Sequence, residues 1–323
     1  MQNSQENKTL GRQWYWQDFI STYRYWALVL ASFLMTITSI GVFGLAFRKL
    51  RESGGSSVGQ SLHSFGVIGT GLAIFIILYF LRRNLKGALI MFALITAISL
   101  LLFYLLDFDN VLTPVVLFTL IRFGIMGFTI SVIATLVSAR PNLSSFLIAY
   151  SVILLWNLFA QFFGSALMGA LLDLTDAWHW LGSIPAFLAA LALVFMKKQI
   201  FSEAPTHEVA PSEPTNRSAV ATVLLCMFVP FYLLYWISKS PAELKYLAKD
   251  LHQPSRGGAI ALSLFAAFLL PIWFYDIRHE LKDRLGNKSA GLMGFMMFFF
   301  PAFGVGMAQA DQNIMLKQAG DRA

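Results

Sequence analysis

Charge is what this chain has least of. Asp, Glu, Lys and Arg make up 13% of its 323 residues, where a water-facing domain carries about a quarter. That shortfall excludes a fully soluble fold and makes lipid part of the solvent. Cysteine is nearly absent. The single Cys226 lies in an apolar run, so no intrachain disulfide forms and the thiol reads as buried and inert. No Asp or Glu falls well inside any long apolar run, so the intramembrane acid that proton-coupled carriers titrate is missing. Metal-ligand spacing is missing too. His63, His179, His207, His252 and His279 are scattered, with no H-x-x-x-H pair among them, and neither His207-Glu208 nor His279-Glu280 has a second histidine at ligand spacing. No Ser-His-Asp set or paired carboxylates stand out, so no catalytic residue, metal or cofactor is expected. No short apolar region with a cleavage site precedes the first long run. Met1 to Gly11 is polar, and the first helix is expected to act as an uncleaved signal anchor.

What the chain does have is apolar length. Hydrophobic residues make up 57%, and about 20 in a row cross a bilayer as a helix. The pattern predicts an all-α integral membrane protein with helices at 25–47, 62–81, 87–106, 111–138, 146–172, 180–196, 219–237, 258–275 and 290–308. Residues 1–24 carry Trp14, Tyr15, Trp16 and Tyr23, and Tyr25 and Trp26 follow at once. Rings with a polar handle favour the headgroup layer, so this segment is expected to lie on the membrane surface. Residues 199–218 hold Pro205, Pro211 and Pro214 among polar residues. They read as a flexible linker between a domain at 25–198 and another at 219–323.

The net charge is +7, but the basic residues sit in short loops, where they set membrane orientation rather than bind nucleic acid. Arg82, Arg83 and Lys86 lie between helices two and three, and Lys197 and Lys198 follow helix six. Asp107, Asp109, Asp173 and Asp176 mark the opposite side. This places the N-terminus in the cytoplasm. Arg48, Lys49 and Arg51 run against that scheme, as do Lys239, Lys245, Lys249 and Arg256, so the basic-loop rule sets no topology beyond Ser218.

Three segments carry a resemblance within 25–198. The first is Arg82-Arg83-Asn84-Leu85-Lys86 between helices two and three, with Arg82 where a family Asp would stand. The second is Arg122-Phe123-Gly124-Ile125-Met126-Gly127. The third is Gly164-Ser165-Ala166-Leu167-Met168-Gly169, followed by Trp178-His179-Trp180. In order and spacing they resemble the N-terminal six-helix half of the major facilitator superfamily, of the drug:proton antiporter type. The resemblance implies a six-helix bundle, a gating loop at Arg82, Arg83 and Lys86, and a secondary transporter of an unknown small solute. Helix packing is expected where small residues recur, at Gly66 and Gly69 and at Ser165 and Gly169. Arg122 lies roughly 15 Å into its helix. An arginine at that depth costs about 2.5–3.5 kcal/mol on insertion scales. It lines a substrate cavity with Asn157 and Gln161, favouring an anion, or it makes a packing contact with those same amides; the sequence leaves both readings open.

The remainder reads as a membrane domain of three helices with an internal repeat. One copy runs Pro230-Phe231-Tyr232-Leu233-Leu234-Tyr235-Trp236 to Glu243-Leu244-Lys245. The other runs Pro271-Ile272-Trp273-Phe274-Tyr275 to Glu280-Leu281-Lys282, and Ala308-Gln309-Ala310-Asp311-Gln312-Asn313 follows. This region resembles the bacterial family called domain of unknown function 4234, which brings no known activity and implies a bacterial cytoplasmic (inner) membrane. Its aromatics are expected to be interfacial anchors. A transporter built from one facilitator half needs a partner bundle, hence a homo-oligomer or help from the C-terminal helices. A membrane-embedded accessory or interaction protein without transport activity is the competing reading.

Overall fold

In lipid every backbone N–H and C=O must be satisfied within its own segment, and a helix does this. The computed structural model describes residues 14–52, 71, 74–75, 79, 81, 83–106, 112–172, 176–197, 200–201, 209–229, 231–248, 251–286 and 288–320. It leaves aside the side chains of 41–52, 168–169, 171–172, 176–179 and 320. No strand occurs among the described residues. The chain packs as two units: Met1–Trp16 with Tyr23–Ala204, and Gln17–Thr22 with Pro205–Ala323. The first described helix is α1 (Trp16–Ile20), which belongs to the second unit from Gln17 onward.

Unit 1 contains α2 (Tyr23–Glu52), α3 (Leu85–Leu105), α4 (Leu112–Ser138), α5 (Leu143–Leu172), a 3-10 segment (Asp176–Ser183) and α6 (Ile184–Val194). Four of its helices are long and apolar enough to cross a membrane. The helix expected at 62–81 lies mostly outside the described residues. Local sequence sets the helix starts. The Asn84 side chain accepts from the Gly87 N–H at 3.1 Å to cap α3, and Asn142 caps α5 by accepting from Ser145 N–H at 2.7 Å. Glycines let α4 meet α3 closely. A Cβ on Gly124 would stand 2.8 Å from the Phe92 carbonyl oxygen, and Gly127 faces the Phe92 ring. Leu100, Phe103, Leu117, Phe118 and Ile121 form a buried cluster along this seam. α2 packs on α5, α6 and α4, and α6 also packs on α3.

The N-terminal aromatics differ from the surface expectation. Trp14, Trp16 and Tyr25 are buried, while Tyr15 and Tyr23 are exposed. Trp14 meets Phe201 edge-on with centroids 5.2 Å apart. The Tyr25 hydroxyl donates to the Ala149 carbonyl at 2.6 Å. The Tyr25 polar handle is thus satisfied inside the protein, which removes the reason for that ring to seek the headgroups.

Unit 2 departs further from the sequence pattern. The three continuous helices expected after residue 218 are each broken in the middle. The first gives α7 (Ala219–Phe228) and α8 (Tyr232–Leu247). The second gives α9 (Arg256–Phe265) and, past a short 3-10 turn, α10 (Leu270–Glu280). The third gives α11 (Ala290–Phe299) and α12 (Pro301–Gly320). Proline explains the breaks, because it lacks an N–H and pushes the preceding residue out of the helical region. Val229, before Pro230, is extended, and Phe300, before Pro301, has left the helix. Pro271 has no N–H to donate to Ala267, and the break falls at Ala266.

The breaks expose a threefold repeat. Each first helix has ten residues and follows a serine cap. Ser218, Ser255 and Ser289 accept from the N–H groups of Ala221, Gly258 and Leu292 at 3.3, 3.0 and 3.2 Å. Set from these caps, Trp236 aligns with Trp273, and Leu244, Leu281 and Met315 share one position, buried in every copy. This corrects the proline-based register, which is off by one helical turn, and adds a third copy that has Met307 where the others have tryptophan.

The copies close on themselves. α9 packs on α8, α11 on α10, and α7 on α12, so each short helix lies against the long helix of the copy before it. Polar straps follow the same cycle. Lys245 donates to the Leu251 carbonyl at 3.2 Å, Arg278 to that of Ser289 at 3.1 Å, and Asn313 to that of Arg217 at 2.7 Å. Residues 209–218 lack regular structure and dock onto the same unit, with Pro214 buried and Ser212 N–H donating to the Ala242 carbonyl at 3.1 Å.

Candidate functional site

On α2, Ser32, Thr36 and Ser39 fall three and four residues apart, so they share one face. On α5, Asn157 and Gln161 are four apart, and on α4 so are Ile125 and Thr129. These three stripes border one cavity of about 390 Å³, together with Met35, Phe128, Leu154 and Leu158. Ser32 donates to the Asn157 side-chain carbonyl at 3.1 Å, which ties α2 to α5 at the cavity wall. Thr36 and Thr129 donate to carbonyls one turn back in their own helices, at 2.9 and 3.0 Å. That satisfies their hydrogens and leaves hydroxyl lone pairs as acceptors. Among the described residues the lining holds no Asp, Glu, Lys or Arg. Thr36, Ile125 and Asn157 each lie about 13 or 14 residues into their helices, roughly 20 Å from the helix start.

The structure brings Asn157 and Gln161 together at this cavity. Arg122 is not among its lining residues. The Arg122 guanidinium sits over the Phe118 ring, 5.7 Å from its centroid, beside the α3–α4 cluster, in a cation–π arrangement. Lys86 donates to the carbonyls of Val194 and Met196, which places a positive charge at the carbonyl end of α6, where it is stabilising. Arg83 is exposed, and Arg82 lies outside the described residues. Gly66 and Gly69 also lie outside them, as do the surroundings of Gly169. Ser165 is exposed and donates to the Gln161 main-chain carbonyl at 2.8 Å. The close approach expected there is made by its neighbour Gly164, where a Cβ would lie 3.3 Å from the Ile37 Cα. One residue turns a helix by about 100°, which separates the buried face from the exposed one. Sequence reasoning missed Ser32, Thr36 and Ser39, whose spacing in the first long helix was the available signal.

Unit 2 holds a second polar centre. Arg217 and Glu243 form a two-pronged ion pair at 3.1 and 2.8 Å. Gln309 accepts from the Trp236 indole N–H at 2.9 Å and donates to Asn313 at 2.9 Å. Asp311 meets Arg278 at 2.9 Å and Lys288 at 2.9 Å. The Gln309, Asp311 and Asn313 of the closing signature are thus packing hubs between the copies. His252 and Asp18 lie 2.8 Å apart. Among the described residues no three His, Cys, Asp or Glu side chains converge as metal ligands do. Comparison with family models, with curated proteins and with solved structures returns no match.

Proposed function

We propose that this chain is a multi-pass membrane protein whose unit 1 is a facilitator-like half bundle, binding a small, neutral, polar solute between α2, α4 and α5. The observation that carries the reading is the mid-helix cavity, bordered by hydroxyls and amides and, among the described residues, by no charged side chain. Its volume lies within the range of about 300–1,000 Å³ of small-molecule sites. A charged solute entering there would lose water without finding a counter-charge, at a cost of several kcal/mol. Hydroxyl acceptors favour a donor-rich solute such as a polyol or a small amide.

Helix packing supports the architecture. Facilitator halves consist of two three-helix repeats of inverted topology, so helix one is equivalent to helix four and helix six to helix three. Here the first helix, α2, packs on the sixth, α6, and the fourth, α4, packs on the third, α3, which are equivalent pairs. Solute binding also fits the missing intramembrane acid, because a neutral solute needs no titrating partner to be held. A half bundle completes its pathway by pairing with a second copy.

Osmotic shrinkage of proteoliposomes in hyperosmotic glycerol, erythritol and urea, read by stopped-flow light scattering, tests the proposal. The full chain should speed permeation of at least one of these about tenfold over empty vesicles, and native mass spectrometry should show a dimer. Asn157→Leu fills the wall with an apolar side chain and should return permeation to the vesicle baseline, with the elution profile of the purified protein unchanged. A panel of solutes that all permeate at the baseline would sink the transport reading and favour the interaction protein, and an Asn157→Leu protein that is fully active would take this cavity out of the pathway.

A further inference from the structure

Unit 2 carries its charge at one end. Residues 219–238, 257–275 and 289–310 contain no Asp, Glu, Lys or Arg. Read as continuous helices, these stretches are long enough to span a membrane. They are not continuous: the α9–α10 pair is bent by 110°. At the first break Phe231 adopts a left-handed backbone, φ 64, a conformation a bulky side chain rarely takes outside a tight turn. At the third, Gly304 of α12 lies against the α11 backbone, where a Cβ would sit 2.7 Å from the Met297 Cα.

Length decides what these folded-back pairs do. Ten residues make a helix about 15 Å long, half of a hydrocarbon core about 30 Å thick. All three first helices have this length. Each ends at a phenylalanine: Phe228, Phe265 and Phe299, at 73%, 47% and 59% exposure. Phe231 beside the first break reaches 80%. At the other end stand the serine caps and the ion pairs Arg217–Glu243 and Lys288–Asp311. The ring of copies is already closed by its own helices, so the exposed phenylalanines need a partner that is apolar, extended and about 15 Å deep.

We infer that unit 2 is a re-entrant domain that inserts into one leaflet, with its phenylalanine breaks at mid-bilayer and its capped, charged ends at a single membrane face. The partner of this surface is the acyl chains of that leaflet. Each copy enters through a short apolar helix and leaves through a long one on the same side. Three copies arranged cyclically bury the polar straps among themselves and turn only apolar faces to lipid, as the bilayer requires.

Sided labelling of the full chain in sealed vesicles tests this. In a Cys226→Ala background, single cysteines are placed at the exposed positions Glu213, Tyr246, Asp283 and Ala319. A membrane-impermeant maleimide should reach all four from the same side. Three spanning helices would instead put Glu213 and Asp283 on one side and Tyr246 and Ala319 on the other, which would overturn the inference. A nitroxide at Phe231→Cys reads the depth. Collision with oxygen should exceed collision with an aqueous nickel chelate by at least tenfold, with the reverse at Tyr246→Cys. A Phe231 label open to the chelate would show that the breaks do not enter the leaflet and would equally sink the idea.

Discussion

Asp311→Ala should destabilise unit 2 by about 3–5 kcal/mol, the range for breaking a buried ion pair from one side. Asp311 is buried and so is Arg278, which meets it at 2.9 Å through Nε and at 3.2 Å through a second nitrogen. Removal of the carboxylate leaves a guanidinium in the interior that remains charged at any working pH. The third partner softens this little. Lys288 is 37% exposed, and an exposed lysine contributes about 0–1 kcal/mol to such a pair. A second variant separates lost charge balance from lost packing. Arg278→Met with Asp311→Leu removes both charges and keeps apolar volume, so it should lie well above Asp311→Ala in stability, because a buried pair replaced by hydrophobic residues is often neutral. Thermal unfolding of the purified chain in detergent, followed by tryptophan fluorescence, reads both. For a unit of this size the single variant corresponds to a fall in midpoint of roughly 10–20 °C. A single variant within about 1 kcal/mol of the parent would show that the pair carries no stability.

The position of Asp311 shows how far the sequence could be read. Its six-residue signature stood out as a pattern, whereas Arg217 lay unmarked in a stretch that reads as linker. The contacts of the signature did not stand out, because they depend on the threefold closure, in which Asp311 meets Arg278 of copy two and Asn313 meets the Arg217 carbonyl of copy one. Proline obscured that closure. It marked the breaks but gave the wrong register, since Pro230 and Pro271 stand at different places relative to the serine caps. The helix edges that depend on local chemistry were legible. Asn84, Ser218 and Ser289 cap helices whose apolar runs begin just after them, as short side chains with an acceptor do. Continuity was not legible, because composition is blind to a 110° bend.

In unit 1 the helices were legible and their facing was read only in part. Four runs are helices long enough to cross a membrane, at nearly the expected bounds. Asn157 and Gln161 stood out as polar residues in an apolar run and do line the cavity. Arg122 stood out for the same reason, yet lies over Phe118 on the α3–α4 seam. Depth along a helix is set by residue number. Which neighbour a side chain meets depends on rotation about the axis, and α4 is too uniformly apolar for a stripe to set that rotation.

Trp236 and Trp273 reverse an expectation most fully. As aromatics at the ends of apolar runs they read as interfacial anchors. Both are fully buried at equivalent positions of two copies, and each donates its indole N–H to a glutamine, Trp236 to Gln309 at 2.9 Å and Trp273 to Gln253 at 3.2 Å. Either residue replaced by alanine should cost about 3–5 kcal/mol, as large aromatic truncations in a core do. Phenylalanine separates the ring from its N–H. It keeps most of the volume and leaves the glutamine oxygen short of one donor, a loss of about 1–3 kcal/mol when nothing replaces it. The two sites should then differ. Gln309 keeps a second donor in the Arg217 guanidinium at 3.5 Å. Gln253 already has an amide nitrogen without a hydrogen-bond partner among the described residues, so Trp273→Phe leaves that side chain short at both ends. Trp273→Phe should therefore cost more than Trp236→Phe, and both far less than alanine. Denaturation midpoints of the four variants, measured in one detergent, decide it. Anchors in a headgroup layer would tolerate alanine within about 1 kcal/mol, as surface positions do. Equal stability of all four variants and the parent would return both tryptophans to the membrane surface.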